Sequence, residues 1–169
     1  MSYTKGQFNF DKDFLESERL IREVVNPILK KHEFRFIRGS NSEDREERKQ
    51  WDCLYEIGKN QITSITMEHK TDFLVKKTHN IFVENKYRGK PSGIITSTAN
   101  YWTYLIKDPT LDTLNYKLYL INTHKFRKLT PLAFASDAKG GDRDKDGNKL
   151  ARGYLFEWSQ IKDKWTCSI

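Results

Sequence analysis

Along residues 13 to 32, DFLESERLIREVVNPILKKH, apolar side chains recur at Phe14, Ile21, Val25 and Ile28, and Val24 and Leu29 widen the stripe. This spacing predicts an amphipathic helix, bent at Pro27, whose ring removes an N–H and crowds the preceding turn. One position breaks the stripe. Glu18 falls four residues after Phe14 and three before Ile21, on the face predicted to be buried. Either it forms an ion pair with Arg22 at the stripe's edge, or it directs a carboxylate at a functional site.

The pattern then loses its helical period. RGSNSEDREERKQ (38–50) has almost nothing to bury and predicts a mobile loop. Three runs with strand character follow: WDCLYEI (51–57), ITSITMEHK (62–70) and NIFVENK (80–86). The intervening GKN suits a tight hairpin, so the first two are expected to be antiparallel neighbours. YRGKPSG (87–93) breaks structure with two glycines and a proline. TSTANYWTYLI (96–106) reads as a helix capped by Thr96 or Ser97, and YKLYLIN (116–122) as another strand. THKFRKLTPLAFA predicts a short helix, and GYLFEWSQI a last element of unassigned type.

Helix, three strands, helix, strand is the order of an α/β fold with a mixed sheet flanked by helices. The expected organisation is one domain over 1–169, with a core at 13–122 and a C-terminal extension, 123–169, packed on it. Neither a repeat nor a linker interrupts it. A chain of 169 residues, 37% hydrophobic and 13% aromatic, is long enough for one core and short for two.

Charge changes this picture. The formal charge of +7 and a sequence pI near 9.3 favour polyanionic partners, of which nucleic acid is the commonest soluble kind. Cys53 and Cys167 lie far apart without histidines at ligand spacing, which argues against a zinc site or a disulfide framework and suits reduced cytosolic thiols. No window approaches the roughly 18 apolar residues of a membrane span, and the N-terminus lacks a basic-then-apolar signal pattern, so a soluble cytoplasmic protein is expected. DRDKDG (142–147) imitates the start of a calcium loop, but Gly153 stands where the closing glutamate belongs, so it reads as a solvated turn.

Candidate chemistry sits at the end of the second strand run. Glu68 and Lys70 are two residues apart, which in a strand places both side chains on one face. A carboxylate and an ammonium that share a substrate phosphate suit phosphodiester hydrolysis. Carboxylates hold Mg²⁺ against the phosphate, and the lysine positions or deprotonates the attacking water and offsets developing charge. Mg²⁺ wants a second acid, and Asp52 on the preceding strand can supply it. The chain holds four acid-x-lysine triplets, ending at Lys49, Lys70, Lys86 and Lys139. Those at 47–49 and 137–139 lack a strand to orient them. Of the other two, Glu68-His69-Lys70 has an aspartate across a hairpin, whereas Glu84-Asn85-Lys86 would draw on Asp72 through an intervening connection.

The helix, Asp52 on one strand, Glu68-x-Lys70 on the next, and the further strand and helix resemble the PD-(D/E)XK nuclease superfamily over residues 13 to 122. MEHKTD, HNIFVEN, KPSGI and TSTANYW are similar to small phage-type endonucleases of that superfamily. The resemblance implies a restriction-endonuclease-like αβββαβ core and a Mg²⁺-dependent endonuclease, with Mn²⁺ expected to substitute. It further implies a role in replication, recombination or host-DNA degradation, in the bacterial host cytoplasm if phage-encoded. It assigns Asp52 and Glu68 to the metal, Lys70 to catalysis, the His69 backbone carbonyl as a further ligand and Glu18 as an extra one. The chain departs from the pattern with Trp51 before Asp52 in place of proline, and with His69 where apolar residues are common. His69 is therefore expected to serve as a packing residue.

Lys86, Arg88 and Lys90, with Tyr87, form a glycine-containing basic loop suited to a phosphate backbone, and Lys125 and Arg127 add a second cluster. Tyr101, with Trp102 and Tyr104 beside it, either stacks on bases or joins the core. No base-reading signature is present, so recognition of shape or backbone is expected. DNA is the expected partner, with RNA as the alternative, and a homodimer is expected because cutting two strands needs two sites. The competing class is a nucleic-acid-binding module on an inactive nuclease scaffold.

Overall fold

A computed structural model of the chain describes residues 10–40, 50–72, 75–107, 116–143, 147–165 and 167–168. The loop expected at 38–50 and the DRDKDG turn lie largely outside these residues.

The first helix is present but irregular. Helix α1 (Phe10–Leu20) passes through a π-helical segment, Ile21–Val25, into α2 (Asn26–Lys31). Pro27 has no N–H for the carbonyl four residues back, and its ring would crowd that turn. The chain widens there instead, and the Asn26 N–H reaches the Ile21 carbonyl. The widened turn shifts the apolar face, so that Leu20, Val25 and Leu29 are buried while Ile21, Val24 and Ile28 flank them. Glu18 is exposed, which corrects its expected place on the buried face. Among the described residues Arg19 pairs with Glu16 and Glu23, and no ion pair joins Glu18 to Arg22.

The strands build two sheets. β1 (Phe34–Gly39), β2 (Cys53–Ile57) and β3 (Thr63–Asp72) form an antiparallel meander. β3 lies parallel to β6 (Tyr101–Lys107), which continues through β7 (Tyr116–Asn122) to β10 (Cys167–Ser168). Between β3 and β6 come a one-turn helix α3 (Val75–Thr78), β4 (Asn80–Tyr87) and the short β5 (Lys90–Pro91). β4 and β5 join a second, four-stranded antiparallel sheet with β9 (Lys149–Glu157) and β8 (Ala135–Arg143). The protein is thus a mixed α/β structure made mostly of strands.

Further expectations are corrected, and the triplet at 137–139, expected to lack a strand, lies on β8. The run at 80–86 is a strand, but in the second sheet. The helix expected at 96–106 is strand β6, led by a 3-10 turn at Gly93–Ile95. Residues 102 to 106, WTYLI, are all buried between β3 and β7, and their aromatic and β-branched content suits a strand covered on both faces. Ser97 caps no helix; its hydroxyl donates to the Gln50 carbonyl at 2.9 Å.

The short helix expected after residue 122 is α4 (Thr123–Lys128), and the unassigned last element is β9 followed by α5 (Trp158–Ile161). Residues 123–169 supply strands to both sheets instead of packing on a finished core.

The six-stranded sheet separates two apolar layers. On one face Leu20, Val25 and Leu29 pack on Cys53, Tyr55, Met67 and Leu105. On the other, Trp102 and Tyr104 meet Ile81, Val83 and Phe156 of the second sheet and Phe126 of α4. The loop into β6 is fastened to β4. Gly93, at φ +53, approaches so closely that a Cβ there would lie 2.3 Å from the Glu84 carbonyl oxygen, and the Ser92 hydroxyl donates to Glu84 Oε1 at 2.6 Å. No helix among the described residues is long and apolar enough to cross a membrane.

Candidate active site

The β2–β3 ladder ends at the pair Cys53 and Met67. Beyond it the Asp52 N–H donates to the Met67 carbonyl at 2.9 Å, and the His69 N–H donates to Asp52 Oδ2 at 2.7 Å. A side-chain carboxylate thus takes a place that a backbone acceptor holds elsewhere in the sheet. That contact fixes Asp52 beside the Glu68–His69 peptide.

Glu68 and Lys70 emerge together, and Lys70 Nζ lies 2.5 Å from Glu68 Oε1. In the parallel register Trp102 stands beside Glu68 and Tyr104 beside Lys70, so one wall of the site is aromatic. Lys70 Nζ sits 5.5 Å from the centre of the Trp102 ring. The Glu68 side chain is 11% accessible and that of Lys70 41%, so the acid lies deeper than the lysine.

Electrostatics binds the three groups into one unit. Burial pushes the Glu68 carboxyl up to about 7, Lys70 pulls it down, and Asp52 pushes it up again. Asp52 is raised by burial, opposed by Lys70 and the His69 N–H, with Glu18 adding to the rise. Desolvation works against the Lys70 ammonium, yet Glu68 and Asp52 outweigh it and hold the amine above its ordinary range. Two carboxylates and one cation leave a net negative pocket that favours protons or a divalent ion.

On the opposite face of β3, His69 is buried and its ring is bonded at both nitrogens. Nε2 lies 2.9 Å from Tyr55 Oη, and Nδ1 lies 2.6 Å from Thr103 Oγ1. The Tyr55 hydroxyl donates to Asn26 Oδ1 at 2.7 Å. Burial, with the charge of Lys70, pushes the imidazole down to about 3, so it is neutral. This network is not among the features the sequence pattern predicts. The available signal was a histidine, a tyrosine and a threonine at inward positions of three neighbouring runs, a pattern hidden while residues 96–106 read as a helix.

The other expected site residues divide. Glu18 is exposed on α1, close enough that its charge raises Asp52 and Cys53. Glu84 and Lys86 do not form a comparable site. Glu84 accepts from Ser92, a bulge at Asn85 interrupts the strand, and Asp72 accepts from the Val75 N–H at the start of α3. Lys86, Arg88 and Lys90 are exposed around the β4–β5 turn, where Arg88 at φ +48 lies over the Tyr87 ring and Gly89 completes the turn at φ +77. Lys125 is exposed on α4. Arg127 is otherwise engaged: its guanidinium donates to the carbonyls of Ile94 at 2.8 Å and Ser97 at 2.5 Å. Tyr101 is half-buried against the helix-side core. Trp102 and Tyr104 are core residues.

Among the described residues, no three His, Cys, Asp or Glu side chains converge into an all-protein metal cage. The donor set at the β2–β3 end is two carboxylates whose proton affinity is raised, first of all by burial. Hard oxygen donors in that number fit Mg²⁺, which keeps several waters and takes one or two carboxylates together with substrate phosphates. Comparisons with family models, curated proteins and solved structures found no match to the chain.

Proposed function

We propose that the chain is a Mg²⁺-dependent endonuclease of the PD-(D/E)XK type that hydrolyses phosphodiester bonds in DNA. The observation that carries this reading is the convergence of Asp52, Glu68 and Lys70 at the open end of the β2–β3 hairpin, with Lys70 Nζ 2.5 Å from Glu68 Oε1. The antiparallel hairpin beside the parallel β3–β6 pair is compatible with a restriction-endonuclease-like core in which strands β4 and β5 replace the crossover helix.

In this reading Asp52 and Glu68 would hold the ion, with the His69 carbonyl as a further oxygen donor, while Glu18, exposed on α1, adds negative charge nearby. Bound Mg²⁺ polarises a phosphoryl oxygen and lowers the pKa of a bound water. Asp52 keeps its orientation through the His69 N–H. Lys70, held protonated by its two acidic neighbours, acts as a cation rather than a base. It swings between Glu68 and the substrate phosphate, where it offsets charge as the pentacovalent state forms. The exposed Lys86, Arg88 and Lys90 follow the phosphate backbone, and without base-reading side chains the enzyme selects structure rather than sequence.

The test is a panel of duplex, single-stranded, flapped and four-way-junction DNA, and RNA, incubated with Mg²⁺ or Mn²⁺. Metal-dependent cleavage of DNA is expected. Cleavage of RNA alone would redirect the activity, and binding without cleavage of any substrate would make the chain a binding module.

A further inference from the structure

The hydrogen bonds around His69 run in one direction. Asn26 Oδ1 can only accept, so the single Tyr55 hydroxyl proton is committed to it at 2.7 Å. Tyr55 Oη must then accept from His69, 2.9 Å away, which puts the imidazole proton on Nε2. Nδ1 is left as an acceptor, and the Thr103 hydroxyl, at 2.6 Å, donates to it. The chain is Thr103 to His69 to Tyr55 to Asn26, with both ring nitrogens satisfied in the neutral form.

Each member stands on a different element. Thr103 is on β6, His69 on β3, Tyr55 on β2, and Asn26 at the junction of the π-helical segment with α2. The Tyr55 and His69 rings also meet edge to face, with centroids 5.7 Å apart. An apolar side chain at position 69 would fill the same space without tying these elements together. The backbone of the clamped residue is the one that matters at the site. The His69 N–H holds Asp52 Oδ2 at 2.7 Å, and Glu68 and Lys70 are its two neighbours.

We infer that His69 is a positioning residue, whose imidazole, locked as the Nε2–H tautomer by Thr103 and the Tyr55–Asn26 pair, fixes the strand segment that aims Asp52, Glu68 and Lys70. The inference rests on the proposed metal-dependent activity for its consequence, and on the hydrogen-bond chain alone for its cause. Groups one shell out from metal ligands typically change affinity or activity by about 10- to 100-fold when removed.

Three variants of the full chain test it. Thr103→Val keeps the buried volume and removes the donor, Thr103→Ser restores the donor, and Tyr55→Phe breaks the chain from the other side. Thermal unfolding establishes that each is folded, Mn²⁺ titration reads the site without catalysis, and ¹⁵N-histidine spectra read the tautomer. The wild type should show one histidine held as Nε2–H. Thr103→Val and Tyr55→Phe should bind Mn²⁺ about 10-fold or more weakly and lose kcat at unchanged KM for DNA, while Thr103→Ser stays close to wild type. Wild-type Mn²⁺ affinity and kcat in folded Thr103→Val or Tyr55→Phe would overturn the inference and leave the proposed function standing. A wild-type chain that binds no Mn²⁺, with or without DNA, would overturn both.

Discussion

Lys70 Nζ and Glu68 Oε1 lie 2.5 Å apart at the end of β3, and the pair is asymmetric: the Glu68 side chain is buried, while that of Lys70 is partly exposed. The acid is enclosed by strand and wall, and the protonated amine lies on its outer side. In the proposed reaction Asp52 and Glu68 would hold Mg²⁺, and Lys70 would supply positive charge to the substrate phosphate.

Metal binding should depend on pH. The Glu68 carboxyl, pushed up to about 7 by burial, holds a proton in part of the population at neutral pH, and the ion must displace it. Mg²⁺ affinity should rise as pH increases through about 7 and then level off. Calorimetry in buffers of different ionisation enthalpy should record proton release on binding at pH 6 and much less at pH 8.5. Release that does not vary with pH would contradict this.

The same groups set opposing trends in stability. Glu68, raised above its unfolded value, adds stability that is present at low pH and is lost as pH rises through about 7. His69, pushed down to about 3, adds stability that is present above its ordinary value near 6.5 and is lost as pH falls toward about 3. Between pH 5 and 6.5 the two trends oppose each other. Glu68→Gln should expose the histidine trend, with urea-unfolding stability rising from pH 5 to pH 7 by up to about 1.4 kcal/mol per pH unit.

Basic residues that look alike in sequence should separate by experiment. Arg127→Ala removes donors from the carbonyls of Ile94 and Ser97 and should cost about 1–3 kcal/mol of stability, with the salt dependence of DNA binding unchanged. Replacing Lys86, Arg88 and Lys90 together by Ala should do the reverse. Stability stays near wild type, while affinity falls and the slope of log K against log salt drops by about 2–3.

Gly93→Ala should also be costly. Its φ of +53 is strained for alanine, and the new Cβ would meet the Glu84 carbonyl oxygen at 2.3 Å. A loss of about 2–4 kcal/mol in urea unfolding is expected, larger than for Gly89→Ala, which has nothing within 4 Å of its Cβ.

What could be read in the sequence was what depends on near neighbours. The hairpin of β2 and β3 follows from two alternating runs around a short polar gap, and with it the placement of Glu68 and Lys70 on one face. What could not be read depended on partners far along the chain. Residues 101–107 carry tyrosine, tryptophan and threonine at spacings that suit either a helix or a doubly covered strand, and only the presence of β3 and β7 on both sides decides between them. Arg127 looks like a phosphate ligand until a turn some 30 residues earlier offers it carbonyls. The side chain of His69 looked expendable because Tyr55, Thr103 and Asn26, separated by up to 77 positions, meet only in the folded chain.

The most direct measurement is cleavage of plasmid DNA with Mg²⁺ by the wild type, Glu68→Gln and Lys70→Met, each checked for fold and DNA affinity. The wild type should cleave, and each variant should bind DNA while losing about 10²-fold or more in rate. Cleavage that survives both substitutions, or a folded wild type that cuts no nucleic acid with Mg²⁺ or Mn²⁺, would contradict the assignment of this site.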